Sequence, residues 1–86
     1  MMNYEKICKG AIERYGFRRQ VEKAEEEMAE LMSALHHFKD GRATMDDVVE
    51  EIADVAIMTL QLAMIFGKEE VEDEVAWKLK RLEERL

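Results

Sequence analysis

Apolar residues recur every three or four positions in four segments of the chain, and short polar or glycine-containing breaks separate these segments. The segments cover about residues 4–15, 17–38, 44–66 and 69–86. Spacings of three and four are typical of amphipathic helices, and glycine commonly follows a helix end. The pattern predicts an all-α fold with a short N-terminal helix and three long helices. The apolar stripe of the second helix consists of Val21, Ala24, Met28, Leu31, Leu35 and Phe38.

The third helix is apolar around most of its circumference. A helix that is apolar on all sides must be covered on all sides, and one chain of 86 residues has too few neighbouring helices to do so. We therefore expect a helical bundle that is completed by homo-oligomerisation, with a monomer of unusually apolar surface as the alternative. The residues concerned are Ile52, Val55, Ala56, Met58, Leu60, Leu62, Ala63 and Ile65.

Composition and charge limit the partners and the cellular setting that are expected for the protein. The length predicts one domain over residues 1–86, and the absence of proline suits long helices. A net charge of −7 leaves no basic excess for nucleic acid or an anionic membrane, so neither partner is expected. The longest apolar run, residues 55–66, is shorter than the roughly 20 residues that a membrane span needs. Cys8 is the only cysteine, which excludes an internal disulfide and fits a reducing, cytoplasmic setting.

Four carboxylates occupy matching positions on the second and third helices. Glu27 and Glu30 precede Gly41 by 14 and 11 residues. Glu51 and Asp54 follow it by 10 and 13 residues. Residues three apart share a helix face, and two helices joined by a short loop pack antiparallel. The four carboxylates should therefore lie at nearly the same depth in the helix pair.

Carboxylates this close repel one another, and a hard divalent cation would remove the repulsion. Asp54 lies in an apolar run, where an unpaired carboxylate costs several kcal/mol. Ligation by oxygen alone suits Mg²⁺, with Mn²⁺ also possible. A helical di-iron site would need Glu three positions before His36 or His37, and that motif is absent. The alternative is that Glu27 and Glu30 form an ordinary solvated helix face.

The residues around these acids resemble the MazG-type all-α nucleoside triphosphate pyrophosphohydrolases. The segments EEMAEL and EEIADV match the family signature, Glu-x-x-Glu on one helix and Glu-x-x-Asp on the next. The flanking segments RYGFRRQ, EEIADVAIMTLQLAMIFG and WKLKRLEERL are similar to short single-domain members, including phage-type ones. The resemblance thus covers nearly the whole chain. It implies Mg²⁺-dependent hydrolysis of an NTP or dNTP to the monophosphate and pyrophosphate.

The resemblance also implies roles for the acidic residues. Glu27, Glu30, Glu51 and Asp54 would hold the metal, and Glu26 would tune the site from outside the ligand set. A carboxylate beside the attacking water could take its proton, and Glu27 and Glu30 are both candidates for that base. Phosphoribosyl-ATP and dUTP or dCTP are the rival substrates, since related enzymes of the same superfamily act on them. A non-catalytic oligomeric adaptor that kept the fold is the rival from another class.

Substrate contacts and assembly follow from the same resemblance. Gln20 matches a glutamine upstream of the first motif, and the resemblance implies that it faces the substrate. Lys78, Arg81 and Arg85 match a Lys-x-x-Arg-x-x-x-Arg pattern associated with phosphate contact. The alternative for these basic residues is ordinary pairing with neighbouring glutamates along the last helix. A homotetramer is expected for the assembly, and a homodimer that completes a four-helix bundle is the alternative.

Overall fold

The computed structural model describes residues 2–86 and confirms the all-helical prediction for that part of the chain. The helices are α1 (Tyr4–Tyr15), α2 (Phe17–Lys39), α3 (Met45–Phe66) and α4 (Lys68–Arg85). Among them, none combines the length and the apolar character that a membrane crossing requires.

Local hydrogen bonds set the beginnings of two helices. At the start of α1, the Asn3 side-chain oxygen accepts a hydrogen bond from the Lys6 N–H at 3.0 Å. At the start of α3, Thr44 Oγ1 accepts a bond from the Asp47 N–H, and the Asp47 carboxylate accepts one from the Thr44 N–H. This capping box satisfies two backbone donors at the helix end. The hydrogen bond from the Thr44 backbone also lowers the pKa of the Asp47 carboxyl.

Two glycines join successive helices without an intervening loop. Gly16 separates α1 from α2 and Gly67 separates α3 from α4, with φ angles of 87° and 135°. Residues with a Cβ rarely adopt such angles, so glycine is required at both junctions. The N–H groups of the two glycines donate to the carbonyls of Ile12 and Ala63, which closes the preceding helices.

The α2–α3 hairpin forms the centre of the fold. α1 packs against both of these helices, whereas α4 packs mainly against α3. At the start of α4, Lys68 forms an ion pair with Glu5 of α1. The buried apolar residues are Cys8 of α1, Ala24 of α2 and Met58 of α3. This core is small, and it lies where the first three helices meet.

The buried face of α2 coincides only in part with its apolar stripe. Met28 and Leu35 belong to the stripe, yet they are 41% and 44% exposed. The buried residues of this helix are Gln20, Ala24 and Glu27. Ala24 belongs to both sets, so the inward face is rotated by roughly 50° from the stripe, which brings an amide and a carboxylate into the interior.

A buried hydrogen bond between side chains links α2 to α3. Gln20 Nε2 donates to Gln61 Oε1 at 2.7 Å, and both residues are buried. Leaving one partner of such a pair unsatisfied costs about 1–3 kcal/mol. The pair therefore helps to fix the relative position of the two helices that carry the acidic residues.

We expect Gln61→Leu to lower the free energy of unfolding by about 1–3 kcal/mol, because the Gln20 amide loses its acceptor. The double variant Gln20→Leu/Gln61→Leu should recover most of that loss, because no buried amide is then left unpaired. Urea unfolding of both variants measures the difference. A double variant that is no more stable than the single one would contradict this role of the pair.

The chain exposes more surface than a compact monomer of the same mass. Its accessible surface is 7210 Å², whereas a compact monomer of 10.1 kDa exposes about 5,300 Å². Its radius of gyration is 15.2 Å, compared with about 12 Å for a compact domain of this length. No residue of α4 is buried. We use the name α3–α4 surface for the exposed apolar residues Ile52, Ile57, Leu60, Val75, Leu79 and Leu82.

Candidate functional site

Three of the four predicted carboxylates meet between α2 and α3. Glu27, Glu51 and Asp54 each offer one carboxylate oxygen, and these three oxygens lie within 4.8 Å of one another. We call these three residues the carboxylate cluster. Glu30 is outside this group but lines a cleft together with Glu51. Two i,i+3 pairs on facing helices, at similar distances from the connecting loop, produce this arrangement.

Glu27 is the buried member of the cluster. It is 7% exposed, whereas Glu51 is half-buried and Asp54 is exposed. The interpretation of Glu27 as part of a solvated helix face is therefore wrong. Glu30 is exposed, as that interpretation requires. The sequence predicts that Asp54 is the buried carboxylate. In the structure Asp54 is exposed and Glu27 is buried, because the inward face of α2 is rotated away from its apolar stripe.

Two carboxylate oxygens of the cluster are buried and have no hydrogen-bond partner in residues 2–86. They are Oε2 of Glu27 and Oε2 of Glu51. The other oxygen of Glu27, Oε1, lies 3.1 Å from Lys23 Nζ, one helical turn earlier on α2. A buried polar atom without a partner is unfavourable. A cation bound by the cluster would give both oxygens a partner.

Burial and charge in the cluster shift the pKa values of Glu51 and Lys23. Burial raises the pKa of the Glu51 carboxyl, and the negative charges of Glu30, Asp54 and Glu27 raise it further. The hydrogen bond to Glu27 raises the pKa of the Lys23 ammonium. The folded chain without metal therefore holds a proton on Glu51 more tightly than the unfolded chain does.

We expect the metal-free chain to become more stable as the pH falls from about 7 toward the ordinary glutamate pKa of 4.5. In that window the folded state binds more protons at Glu51 than the unfolded state, so the free energy of unfolding falls as the pH rises. The lowered pKa of Asp47 acts below 3.8 and the raised pKa of Lys23 acts above 10.5, so both lie outside the window.

The thermal midpoint, measured with EDTA at several pH values between about 5 and 7, checks this expectation. Glu51→Gln is the matched control, because it removes the titrating group and keeps the shape of the side chain. The variant should show a weaker pH dependence than the wild type. Identical pH profiles for the two proteins would contradict the assignment.

One open cleft includes Glu51 of the cluster, and a second includes Lys23, the ion-pair partner of Glu27. The loop-side cleft has a volume of about 390 Å³, and its lining includes Glu30, Glu51, His37 and Arg42. The N-terminal cleft has a volume of about 380 Å³. The N-terminal cleft is lined by Tyr15, Arg19, Gln20, Lys23, Met58 and Gln61.

The basic residues predicted to contact phosphate lie away from the cluster in the single chain. Lys78, Arg81 and Arg85 are exposed on α4, and none of them lines either cleft. The guanidinium of Arg81 lies over the Trp77 ring, 4.9 Å from its centroid. The structure of one chain therefore does not bring these three residues to the carboxylates.

Gln20 and Glu26 lie closer to the carboxylates. Gln20 lines the N-terminal cleft, although its amide nitrogen is already used in the bond to Gln61. Glu26 is exposed and pairs with Arg19 at 3.2 Å. Lys23 is not among the residues predicted for the site. Its position four residues before Glu27 is nevertheless the spacing of an intrahelical ion pair.

The carboxylate cluster offers only oxygen atoms as ligands. Hard divalent cations prefer such donors. Comparisons of the chain with protein-family models, curated proteins and solved structures find no match. The cluster, its clefts and the sequence motifs are therefore the basis on which a function can be proposed.

Proposed function

We propose that the protein hydrolyses nucleoside triphosphates, or their deoxy forms, to the monophosphate and pyrophosphate with the help of Mg²⁺ or Mn²⁺. The observation that carries the proposal is the convergence of Glu27, Glu51 and Asp54, whose ligand atoms lie within 4.8 Å of one another. The two buried oxygens without partners, on Glu27 and Glu51, favour a cation at that position. The resemblance of EEMAEL and EEIADV to the MazG-type signature points to the same chemistry.

The donor set fits the proposed ion. The carboxylate cluster would hold it, with Glu30 as a further acid beside Glu51. When bound, Mg²⁺ supplies Lewis-acid polarisation of a phosphoryl group and offsets the charge of the triphosphate. The chain has a net charge of −7, so a triphosphate without a counter-charge would be repelled.

Glu30 is our candidate for the general base. It is exposed and lines the loop-side cleft, so its carboxylate is open to water. Glu27 is less suited, because it is buried and one of its oxygens is engaged by Lys23. A base must lie within hydrogen-bond reach of the proton that it takes. Glu30 would accept the proton of the attacking water.

Two groups of basic residues are available for the leaving pyrophosphate. Arg42 lines the loop-side cleft of the same chain. Lys78, Arg81 and Arg85 are exposed on a helix that packs mainly against α3. We assign these three to a site on a neighbouring subunit, where charged hydrogen bonds to phosphate oxygens are strong.

The proposal includes self-association, with a homotetramer as the expected assembly and a homodimer as the alternative. The accessible surface of 7210 Å² exceeds that of a compact monomer by about 1,900 Å². Two subunits that each covered this excess would bury roughly 3,800 Å² in total, which is typical of obligate homo-oligomers. The α3–α4 surface supplies the apolar side chains for such an interface.

Phosphoribosyl-ATP and dUTP or dCTP are the alternative substrates. The extent of the α3–α4 surface favours a second role, that of a non-catalytic oligomeric adaptor. The setting that we propose is the cytoplasm, where the free thiol of Cys8 would stay reduced.

Pyrophosphate release from a panel of NTPs, dNTPs and phosphoribosyl-ATP, with and without Mg²⁺, tests the proposal. We expect release that requires Mg²⁺ or Mn²⁺ and stops when EDTA is added. Release from phosphoribosyl-ATP alone would identify the related activity instead. Absence of release from every compound would overturn the enzymatic function and leave the adaptor role.

A further inference from the structure

We propose that Lys23 is the counter-ion of the carboxylate cluster and lowers the affinity of the cluster for a free divalent cation, so that cation and polyphosphate bind together. This inference rests on the proposed metal-dependent function. It gives a positioning role to a residue that belongs to neither of the two acidic motifs.

The geometry at Glu27 is the first observation. Lys23 Nζ lies 3.1 Å from Glu27 Oε1, and the Glu27 side chain is 10% exposed whereas that of Lys23 is 45% exposed. The ammonium is thus open to solvent while the carboxylate that it contacts is buried. The second oxygen of Glu27, Oε2, stays buried and has no hydrogen-bond partner within the described residues. Lys23 therefore orients Glu27 with one oxygen engaged and the other available.

The charge around the cluster is the second observation. In residues 2–86, Lys23 is the only basic residue that forms an ion pair with a member of the cluster. A divalent cation held by Glu27 would share that carboxylate with the ammonium, and the two positive charges would repel each other. The ammonium thus offsets part of the repulsion among the acids, and it opposes binding of a free cation.

The N-terminal cleft is the third observation. Lys23 lines this cleft together with Arg19, one helical turn away on α2. The phosphate groups of a substrate that enters this cleft would attract the Lys23 ammonium. Each bond that Lys23 made to phosphate would weaken its hold on Glu27 and release that carboxylate for the cation. Cation and polyphosphate would then each raise the affinity for the other.

Titration with Mn²⁺, with the free ion followed by electron paramagnetic resonance, tests this role without any turnover. In the absence of nucleotide and at about 0.1 M salt, we expect Lys23→Met to bind Mn²⁺ about tenfold more tightly than the wild type, because one repelling charge is removed. Lys23→Arg keeps that charge and should bind Mn²⁺ as the wild type does. With a non-hydrolysable dNTP present, the difference between Lys23→Met and the wild type should vanish or reverse.

Lys39→Met is the matched control, because it also removes one lysine charge from α2. Lys39 is the last residue of that helix and lies about 18 Å from Glu27 along its axis. This exceeds the screening length of about 10 Å at 0.1 M salt, so the Mn²⁺ affinity should not change. Circular dichroism and the thermal midpoint establish that each variant is folded.

The outcomes separate this inference from the proposed function. If the wild type binds Mn²⁺ and Lys23→Met binds it equally or more weakly, the counter-ion role is overturned and the metal site is retained. If neither protein binds Mn²⁺, the metal site and the counter-ion role are both overturned. If Lys39→Met binds Mn²⁺ as much more tightly as Lys23→Met does, the effect comes from net charge alone, and the counter-ion role of Lys23 is overturned.

Discussion

Asp54→Asn is expected to lower kcat for pyrophosphate release by at least about 100-fold. Residues that only support metal ligands typically cost 10–100-fold when they are replaced, and Asp54 is proposed as a ligand itself. Asparagine keeps the shape of the side chain but loses the negative charge and one anionic oxygen. Because Asp54 is exposed and lies beside two other acids, the substitution should not destabilise the metal-free chain.

Three measurements check this expectation: kcat with saturating Mg²⁺, the affinity for Mn²⁺ in the absence of nucleotide, and the thermal midpoint with EDTA. Asp46→Asn is the control, because Asp46 is an exposed acid in the first turn of the same helix and lies outside the cluster. The control should keep wild-type kcat and Mn²⁺ affinity. An Asp54→Asn protein with the same values as the wild type would remove Asp54 from the metal site.

Ile57→Glu is expected to convert the assembled protein to monomers and to lower its thermal midpoint. Ile57 is 51% exposed in the single chain, so in a monomer this substitution would change stability by no more than about 0.5 kcal/mol. If a second subunit covers the exposed half of Ile57, the variant loses about 0.8–1.5 kcal/mol of apolar burial at each copy. It also places a charge in an apolar interface.

Light scattering coupled to size exclusion gives the mass of each variant, and thermal unfolding over a range of protein concentrations gives the stability. The midpoint of the wild type should rise with concentration and that of Ile57→Glu should not, because only an assembled state depends on mass action. Met2→Glu is the control, since Met2 is 66% exposed and precedes the first helix. A monomeric wild type would disprove the proposed assembly.

The helices could be predicted from the sequence because local signals determine them. Gly16 and Gly67 stop helices through positive φ angles that other residues avoid. Thr44 and Asp47 begin α3 through hydrogen bonds made within four residues. None of these signals depends on tertiary packing, which is why each helix begins and ends within two residues of its expected position.

The meeting of Glu27, Glu51 and Asp54 could also be predicted. In an antiparallel pair of helices, residues that are equally far from the connecting loop lie side by side. The rotation of α2 about its own axis could not be predicted. The faces centred on Met28 and on Glu27 are only about 100° apart, and contacts with α1 and α3 decide which of them turns inward. Two subunits could also cover Met28, so the sequence of one chain leaves this rotation open.

In the proposed oligomeric enzyme, the position of α4 on the outside of the fold would make the activity per molecule depend on protein concentration. Most of the stability of a helix in a protein comes from the packing of its apolar face, and α4 has no buried residue among its 18. Subunit concentration would then set how much of α4 is helical and, with it, how often its basic residues are in place. Turnover per molecule would fall on dilution, so the rate would rise more steeply than in proportion to the amount of protein.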